Sequence, residues 1–433
     1  MPTQTSLTNT TLQGADTVLR YDSYGNADQT TTYTGYSTRT NTNGTVTYSA
    51  PTGTARTTTT VYDGSFHLFP ISSTNAATHG QSAGYDYRLG TLTSVTDANG
   101  NVTSAGYDSF GRMISLVKPG DTAAAPTNQF YYADGEIPFR YEVVQREVAG
   151  NNAAYRPIEH FYDGLGREIQ TKQESKDWSQ HIVTDTRYDG FGHVVAQSQP
   201  RYIDDATSGF WFYVNPGTGT LFRPTTSTYD ALGRVRTSTA PDGSVTTLSY
   251  GVDGDGRWSQ TIDANSHATR RYSDALGRMT QVREYNGTAT PRTLAASTFY
   301  QYDALDRLNR VTDANGNVTT MGYDSLSRKT SMVDPDMGTW SYDYYANGSL
   351  KWQLDAKNQK LWFGYDALDR LTTTWRDGSW QPLTTYAYDA AAVPNSKGRR
   401  TSAATHTTTG DTQTFQTWTY DQRGRVKSMG QSA

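Results

Sequence analysis

Aspartate is the side chain with reactive potential that recurs most regularly along this 433-residue chain. Thirteen aspartates directly follow a tyrosine, and seven of these are followed four residues later by an arginine. Carboxylates can act as general acids and bases, and they can bind hard cations such as calcium. Because these aspartates recur at turn positions throughout the chain, we interpret them as structural groups that shape turns. The Tyr-Asp pairs begin at Tyr21, Tyr62, Tyr85, Tyr107, Tyr162, Tyr188, Tyr229, Tyr302, Tyr323, Tyr342, Tyr365, Tyr388 and Tyr420.

Other reactive side chains are absent or unsuitably spaced. The chain has no cysteine, which excludes disulfides, thiol catalysis and thiolate metal sites. Its seven histidines lack metal-ligand spacing, and the pair His181 and His193 is better explained by chance. The segment Asp97–Thr103, DANGNVT, is better explained as a hairpin turn than as a calcium loop. The sequence also lacks a G-x-S-x-G motif and a phosphate-binding loop. We therefore predict no catalytic residue, no cofactor, no metal site and no enzyme activity.

The elements that must position the aspartates are short strands in a repeat of roughly 20 residues. In Tyr302–Arg328 a Tyr-Asp turn leads into one strand, Asn315-Gly316 reverses the chain, and a second strand ends at the next Tyr-Asp. Asn-Gly between alternating residues predicts a type I′ hairpin turn with positive φ at both central positions. Asp97–Thr103 and Asp313–Thr319 have the same sequence. The repeat therefore predicts successive antiparallel strands of one curved sheet.

Each position of the motif Tyr-Asp-x-x-Gly-Arg has a predicted role. The aspartate accepts a hydrogen bond from the backbone N–H two residues later and forms an Asx-type turn. The apolar residue two positions after the aspartate is expected to point inward. The glycine is expected to have positive φ, which Asp306 and Asp369 tolerate and which suits Ser327 less well. The arginine either pairs with the aspartate or lies over a neighbouring tyrosine ring. The signature residues are Tyr229, Asp230, Gly233, Arg234, Tyr302, Asp303, Arg307, Tyr323, Asp324, Arg328, Tyr365, Asp366 and Arg370.

The composition favours a thin sheet over a thick apolar core. Hydrophobic residues make up 35 % of the chain and aromatic residues 12 %, and the mean hydropathy is −0.71. The 31 Tyr and 39 Gly suit pleated strands joined by tight turns, whose regularity argues against disorder. A sheet with one solvated face explains the polarity. The net charge of −4 argues against a nucleic-acid partner, and no run of 18 apolar residues is present to predict a membrane span.

The repeats also define the predicted domain organisation. Residues 1–60 are expected to form degenerate, Thr-rich strands, and residues 61–433 are expected to form one continuous array. An insert at 199–226 interrupts this array and carries four consecutive aromatic residues, Phe210, Trp211, Phe212 and Tyr213. This cluster is a candidate partner contact, although a lid or plug on the chain's own sheet is the favoured alternative. The array stops in mid-unit, so we expect the chain to be part of a longer polypeptide.

The repeated motif resembles the RHS/YD-repeat family, which includes bacterial Rhs polymorphic toxins, the B and C components of Tc toxin complexes, and the animal teneurins. The resemblance covers roughly residues 60–426. It implies an all-β fold, in which an antiparallel hairpin array winds as a curved or spiral sheet and forms part of a hollow β-shell. In the toxin members such a shell encloses a toxic polypeptide. The family's closing region with its aspartyl self-cleavage site has no match, because the single Asp-Pro pair, Asp334-Pro335, lies within a repeat.

The favoured function is a non-catalytic RHS-repeat shell or scaffold that encapsulates or carries a toxic polypeptide for delivery. The alternative is an extracellular recognition module that binds glycan or protein through its aromatic rows and the insert 199–226. An enzyme is the least favoured class. The predicted partners are flanking parts of the same polypeptide or other shell subunits, with a toxic polypeptide as enclosed cargo. A secreted or cell-surface location is expected, although no signal peptide is visible.

Overall fold

The structure is a computed structural model that describes residues 10–42, 45–148, 155–175, 178–204, 209–288, 291–379, 381–407 and 409–432. Every regular element in these residues is a β-strand, and the strands pair antiparallel. Alternating Thr, Ser, Val and aromatic residues favour this extended conformation. The predicted all-β fold class and the antiparallel hairpin array are thereby confirmed.

The strands follow one another at short intervals from end to end. They are β1 (Thr10–Gly14), β2 (Thr17–Tyr21), β3 (Ala27–Tyr33), β4 (Ser37–Thr42), β5 (Thr45–Ser49), β6 (Ala55–Tyr62), β7 (Pro70–Thr74), β8 (Gly80–Asp86), β9 (Thr91–Thr96), β10 (Val102–Tyr107), β11 (Met113–Val117), β12 (Asn128–Ala133), β13 (Phe139–Arg146), β14 (Tyr155–Tyr162), β15 (Glu168–Glu174), β16 (Gln180–Tyr188), β17 (Val194–Gln197), β18 (Arg201–Asp204), β19 (Thr225–Tyr229), β20 (Val235–Thr239), β21 (Val245–Asp253), β22 (Gly256–Ile262), β23 (Ala268–Ser273), β24 (Met279–Asn286), β25 (Thr293–Tyr302), β26 (Leu308–Thr312), β27 (Val318–Tyr323), β28 (Lys329–Asp334), β29 (Gly338–Tyr344), β30 (Leu350–Leu354), β31 (Lys360–Tyr365), β32 (Leu371–Arg376), β33 (Pro382–Tyr388), β34 (Arg400–His406), β35 (Thr412–Tyr420) and β36 (Val426–Ser432).

The chain divides into two compact units. The first comprises Met1–Arg112, Val117–Gly120 and Met321–Ala433, and the second comprises Met113–Leu116 and Asp121–Thr320. The sequence predicts a domain boundary at residue 60. Neither unit begins or ends there, and this boundary stays a prediction.

The first unit contains two runs of hairpins and a small separate sheet. β2 pairs with β3, β3 pairs with β6, and pairing continues strand by strand to β10. A second run pairs β28 to β36 in sequence order. The small sheet has the order β1-β4-β5. The two runs touch through their turns, where Asn99 Nδ2 donates to Lys397 O at 3.2 Å and His79 Nε2 lies 3.5 Å from Asp389 Oδ2.

The second unit contains a sheet that branches at β16. Strands β11 to β16 pair in sequence order. One half of β16, Gln180–Val183, then pairs with β18, and the other half, Thr186–Tyr188, pairs with β17. β17 pairs with β19, and the array continues in order to β26. The insert predicted at 199–226 lies at this branch; it contains β18 and ends at the start of β19.

The Asn-Gly hairpins do not have the predicted turn type. In the hairpin at Asp97, the Asp97 N–H donates to Asn101 O at 2.9 Å and the Gly100 N–H donates to Asp97 O at 2.9 Å. Gly100 has a φ of 81°, whereas the described residue Asn99 is not among the residues with positive φ. The type I′ prediction is therefore wrong, because three residues and not two separate the paired Asp97 and Asn101. This is a type I turn followed by a left-handed residue.

The sheets have little dry core. Among the described residues, ten hydrophobic side chains are buried, against seventeen polar or charged ones. Most strand side chains are therefore partly solvated, in agreement with the thin sheet that the composition predicts.

Candidate functional site

In the Tyr-Asp turn, one carboxylate accepts three hydrogen bonds. Asp230 Oδ1 accepts from the N–H of Leu232 at 2.9 Å and of Arg234 at 3.0 Å, and Oδ2 accepts from Arg234 Nε at 2.8 Å. Gly233 has a φ of 75°. The hydrogen bonds from the side chain and backbone of Arg234 hold the pKa of Asp230 below its usual value. The predicted Asx-type turn and the predicted positive φ are both confirmed here.

The other signature residues repeat this geometry. In three further turns the carboxylate Oδ2 accepts from the arginine Nε at 2.7 Å, namely Asp303–Arg307, Asp324–Arg328 and Asp366–Arg370. The left-handed position in these turns is Asp306, Ser327 or Asp369, with φ of 62°, 63° and 62°. Serine therefore takes the same backbone conformation as aspartate, although Ser327 was expected to suit this position less well.

The Asn-Gly hairpin is the same turn without the arginine. Asp97 Oδ1 accepts from the N–H of Asn99 at 2.8 Å and of Asn101 at 2.9 Å. Asp313 Oδ1 accepts in the same way from Asn315 and Asn317, at 2.9 Å and 2.8 Å. A single five-residue turn, Asp-x-x-Gly-x with substitutes for glycine, thus connects strands at both ends of the repeat.

Tyrosine and arginine tie each repeat to the next one. The Tyr302 hydroxyl donates to Met279 O at 2.9 Å, and Met279 directly follows Arg278 of the preceding turn. The Arg278 guanidinium lies 5.1 Å from the centre of the Tyr302 ring while its Nε donates to Asp274 Oδ2 at 2.7 Å. The arginine therefore pairs with its aspartate and also lies over a tyrosine, roles that were predicted as alternatives. The same tyrosine bond is made by Tyr229 to Val194 O at 2.7 Å and by Tyr365 to Leu350 O at 3.0 Å.

The apolar residue of the motif was expected to point inward, and in most of these turns it is exposed to solvent. In the second unit these side chains are between 62 % and 89 % exposed. The reason is their place inside the turn, beyond the last cross-strand pair, where neither strand can cover them. The residues are Leu165, Phe191, Leu232, Leu276 and Leu305.

The insert lies back on its own sheet. Lys172 Nζ donates to the carbonyl oxygens of Gly209 at 2.6 Å and Phe212 at 3.0 Å. Gln170 Oε1 accepts from the N–H of Val214 at 2.9 Å. The side chains of Lys172 and Gln170 are buried, so these bonds form away from water and hold the insert against β15. The lid or plug was the favoured alternative for this segment.

The four aromatic residues of the insert divide between the sheet and solvent. Phe210 is buried against His181, with ring centres 5.3 Å apart, and Tyr213 is partly buried. Trp211 and Phe212 remain 48 % and 69 % exposed. The partner contact at this cluster stays a prediction, for which these two exposed side chains offer the accessible surface.

Beneath the insert, strands β13 to β15 bury a strip of charged side chains. Glu142 lies directly across from Glu159, and Glu159 lies across from Lys172. All three are less than a tenth exposed. Arg140 Nη1 donates to Glu159 Oε1 at 3.0 Å, yet desolvation raises the pKa of Glu159 to about 8. Burying such charges is costly, so the stability of the sheet alone does not explain this strip.

A cavity of about 880 Å³ is lined by Glu142 of this strip and by residues 209–211 of the insert. Its walls include Glu142 and the aromatic side chains Tyr131, Tyr155, Trp178 and Trp211. Desolvation raises the pKa of Glu142 to about 7. Glu142 Oε1 is buried and accepts no hydrogen bond from the described residues.

Neither the charged strip nor the cavity was predicted from the sequence. A pattern was present, because charged residues occupy alternate positions in two strands of this sheet, as Arg140 and Glu142 do in β13 and Lys172 and Glu174 do in β15. Alternation of this kind is usual for a solvated face. What it does not reveal is that residues 209–214 cover that face.

Among the described residues, no group of three or more His, Cys, Asp or Glu side chains could hold a metal ion. The described residues also contain no helix that is long and apolar enough to cross a membrane.

Part of this chain carries RHS repeats. The profile of the RHS Repeat family matches residues 85–123, 229–268 and 302–336. The family resemblance that the Tyr-Asp motif predicts is thereby confirmed. No curated protein matches the sequence.

Within this class, the fold is similar to that of a Tc toxin. The crystal structure of TcdB2-TccC3 matches 94 % of this chain with a TM-score of 0.67 at 16 % identity. TcdB2-TccC3 without its hypervariable C-terminal region matches 94 % with a TM-score of 0.67 at 15 % identity, and the Tc holotoxin pore of Photorhabdus luminescens matches 94 % with a TM-score of 0.66 at 15 % identity. This chain spans 24 % of the first of those chains and 26 % of the other two. The predicted β-shell fold class is confirmed by this likeness.

Proposed function

We propose that this chain is part of a non-catalytic RHS-repeat shell that encloses or carries a toxic polypeptide. The RHS repeats and the Tc toxin-like fold support a structural shell or scaffold role. The scarcity of dry core is the main structural support for this proposal. Among the described residues, ten hydrophobic side chains are buried. A wall that separates two aqueous compartments needs no second apolar layer, since its cohesion comes from the ties between neighbouring repeats.

The length of this chain, compared with that of the Tc toxin chains, indicates which partners it needs. This chain spans about a quarter of the Tc toxin chains that it resembles. We infer that flanking parts of the same polypeptide or other shell subunits complete the enclosure, and that the toxic polypeptide is the cargo. A secreted or cell-surface location suits such a delivery role.

The proposed shell is non-catalytic, and the hydrogen bonds of the turn aspartates support this part of the proposal. The carboxylate of Asp230 already accepts three hydrogen bonds, and its pKa is held below the usual value. A general base needs a free oxygen and a pKa near the working pH. Asp230 therefore lacks both properties.

The recognition module is the second candidate, and one observation favours it. Trp211 and Phe212 are exposed at the edge of the insert, and exposed aromatic side chains are frequent anchors in interfaces. Against it, Lys172 and Gln170 hold the insert on the chain's own sheet.

Protease protection in the full-length polypeptide that contains this chain tests the container. The enclosed cargo is a segment whose sequence is not part of the shell repeats. Trypsin should leave this segment intact in the native protein and should cleave it rapidly after urea opens the shell. Cleavage at equal rates under both conditions would contradict enclosure.

Cell and glycan binding by the same polypeptide tests the recognition module. If the container is correct, the double variant Trp211→Ala, Phe212→Ala should retain protection of the cargo. Loss of cell or glycan binding in that variant, with no protected segment in the parent protein, would favour recognition instead.

A further inference from the structure

The cavity in the second unit contains a buried acceptor with no donor. Glu142 lines this cavity of about 880 Å³ and is 5 % exposed. Its Oε1 accepts no hydrogen bond from any described residue. Leaving a buried carboxylate oxygen unpaired costs folding free energy, and a ligand that supplies a donor would recover that cost.

The nearby cations are engaged elsewhere. Arg140 donates to Glu159 at 3.0 Å and also pairs with a third carboxylate, that of Glu136. Arg146 lines the cavity and lies 3.8 Å from Asp121. The negative charge of Glu142 therefore lacks a hydrogen-bonded counterion among these groups.

Aromatic rings supply the remaining walls. Tyr155 and Trp178 meet edge to face with ring centres 5.3 Å apart, and Tyr131 and Trp211 also line the space. The faces of tyrosine and tryptophan rings attract cations. The same chemistry is already present at this site, because the Arg140 guanidinium lies 5.5 Å from the centre of the Trp211 ring.

We propose that this cavity binds an arginine or lysine side chain presented by a polypeptide segment, with Glu142 as its carboxylate partner and the aromatic rings as its walls. Arginine suits the site better than lysine, because its planar guanidinium can stack on a ring and donate to a carboxylate at the same time. The cavity exceeds the volume of one side chain, so residues beside the cation enter with it. A neutral sugar could stack on the same rings but would leave the carboxylate charge uncompensated. This site does not depend on the container function.

Titration calorimetry with two matched peptides tests the proposal. The probes are acetyl-Gly-Arg-Gly amide and its citrulline counterpart, which has nearly the same shape but no charge. At pH 8.5, above the pKa of about 7 for Glu142, the arginine peptide should bind at least about tenfold more tightly than the citrulline peptide. Glu142→Gln should abolish this difference. Glu284→Gln, an exposed glutamate on β24 outside the cavity, should preserve it.

Two further measurements keep the outcome interpretable. Glu142→Gln should unfold at the same or a higher temperature than the parent, because it removes a buried charge, so weaker binding cannot be assigned to misfolding. Trp178→Leu should weaken the arginine peptide while leaving the unfolding temperature nearly unchanged, since this side chain is 45 % exposed. Equal binding of the two peptides, full affinity in Glu142→Gln, or binding of chitotriose without the arginine peptide would each overturn the proposal.

Discussion

The left-handed position of the Tyr-Asp turn can be tested within a single turn that contains two glycines. Gly166 has a φ of +75°, whereas Gly164 has no left-handed φ, and a Cβ added at either glycine would meet no atom within 4 Å. Any difference between alanine substitutions at the two positions therefore reports backbone conformation and not packing. Gly233→Val is a poorer choice, because its Cβ would come 2.7 Å from His193 Nε2 and would add a steric clash to the strain.

The expected magnitudes follow from the cost of left-handed backbone. Gly166→Ala should lower the free energy of unfolding by about 1–2 kcal/mol. Gly164→Ala should change it little or raise it by about 0.4–1 kcal/mol, because alanine restricts the unfolded chain. With a urea m-value of about 3 kcal/mol per M, the two variants should differ by roughly 0.3–1 M in their unfolding midpoints.

A third variant separates conformation from side-chain loss. Gly166→Asp should recover part of the loss, because Asp306 and Asp369 occupy the same position with φ of 62°. Urea unfolding followed by circular dichroism measures all three variants. If Gly166→Ala and Gly164→Ala unfold at the same urea concentration, the left-handed assignment of this position is refuted.

Three further predictions concern the ties between repeats, the insert and the buried carboxylates. Tyr302→Phe should lower the free energy of unfolding by about 1 kcal/mol through loss of one hydrogen bond, and Tyr300→Phe on the same strand is the control; equal effects in urea would contradict the tie. Lys172→Met should speed amide hydrogen exchange in residues 209–214 by about tenfold or more, because two hydrogen bonds to the insert are lost; unchanged exchange would show that lysine does not hold the insert. Desolvation raises the pKa of Glu142 from 4.5 to about 7, so the folded state binds the extra proton and stability should fall as pH rises from 4.5 through 7, by about 3 kcal/mol from this group. Glu142→Gln should reduce the fall in stability by about this amount, while Glu159, whose pKa is raised to about 8, still contributes to the fall; an unchanged profile would refute the assignment.

The repeat was largely predictable from the sequence because its signals are local. The Asx-type turn at Asp230 and the positive φ at Gly233 depend only on the five residues of the turn. The exposure of Leu232 was not predicted, because hydrophobicity alone does not show that a side chain lies beyond the last strand pair. The type I′ turn was wrong for a similar reason, since Asn-Gly does not by itself fix the number of loop residues.

The charged strip and the cavity could not be predicted because they depend on distant contacts. Glu142 and Glu159 become neighbours only when β13 pairs with β14 in the observed register. Their burial also requires the insert. Lys172 binds the insert at Gly209 and Phe212, which are 37 and 40 residues later in the sequence. No short motif contains this information. The aromatic cluster of the insert was visible in the sequence, but its division into buried Phe210 and exposed neighbours was not.

The tyrosine bond between adjacent repeats has a consequence for how the chain acquires its structure during synthesis. Tyr250 binds the carbonyl of Val235 and Tyr365 binds that of Leu350, in each case a partner 15 residues earlier. A newly made repeat can therefore dock on the one before it without waiting for any later segment. Low sequence separation between contacting groups favours rapid folding, and domains of long chains fold in the order of their synthesis. Most repeats are therefore expected to pair with the preceding strand as they leave the ribosome, so that the strand made last forms the exposed edge of the growing sheet.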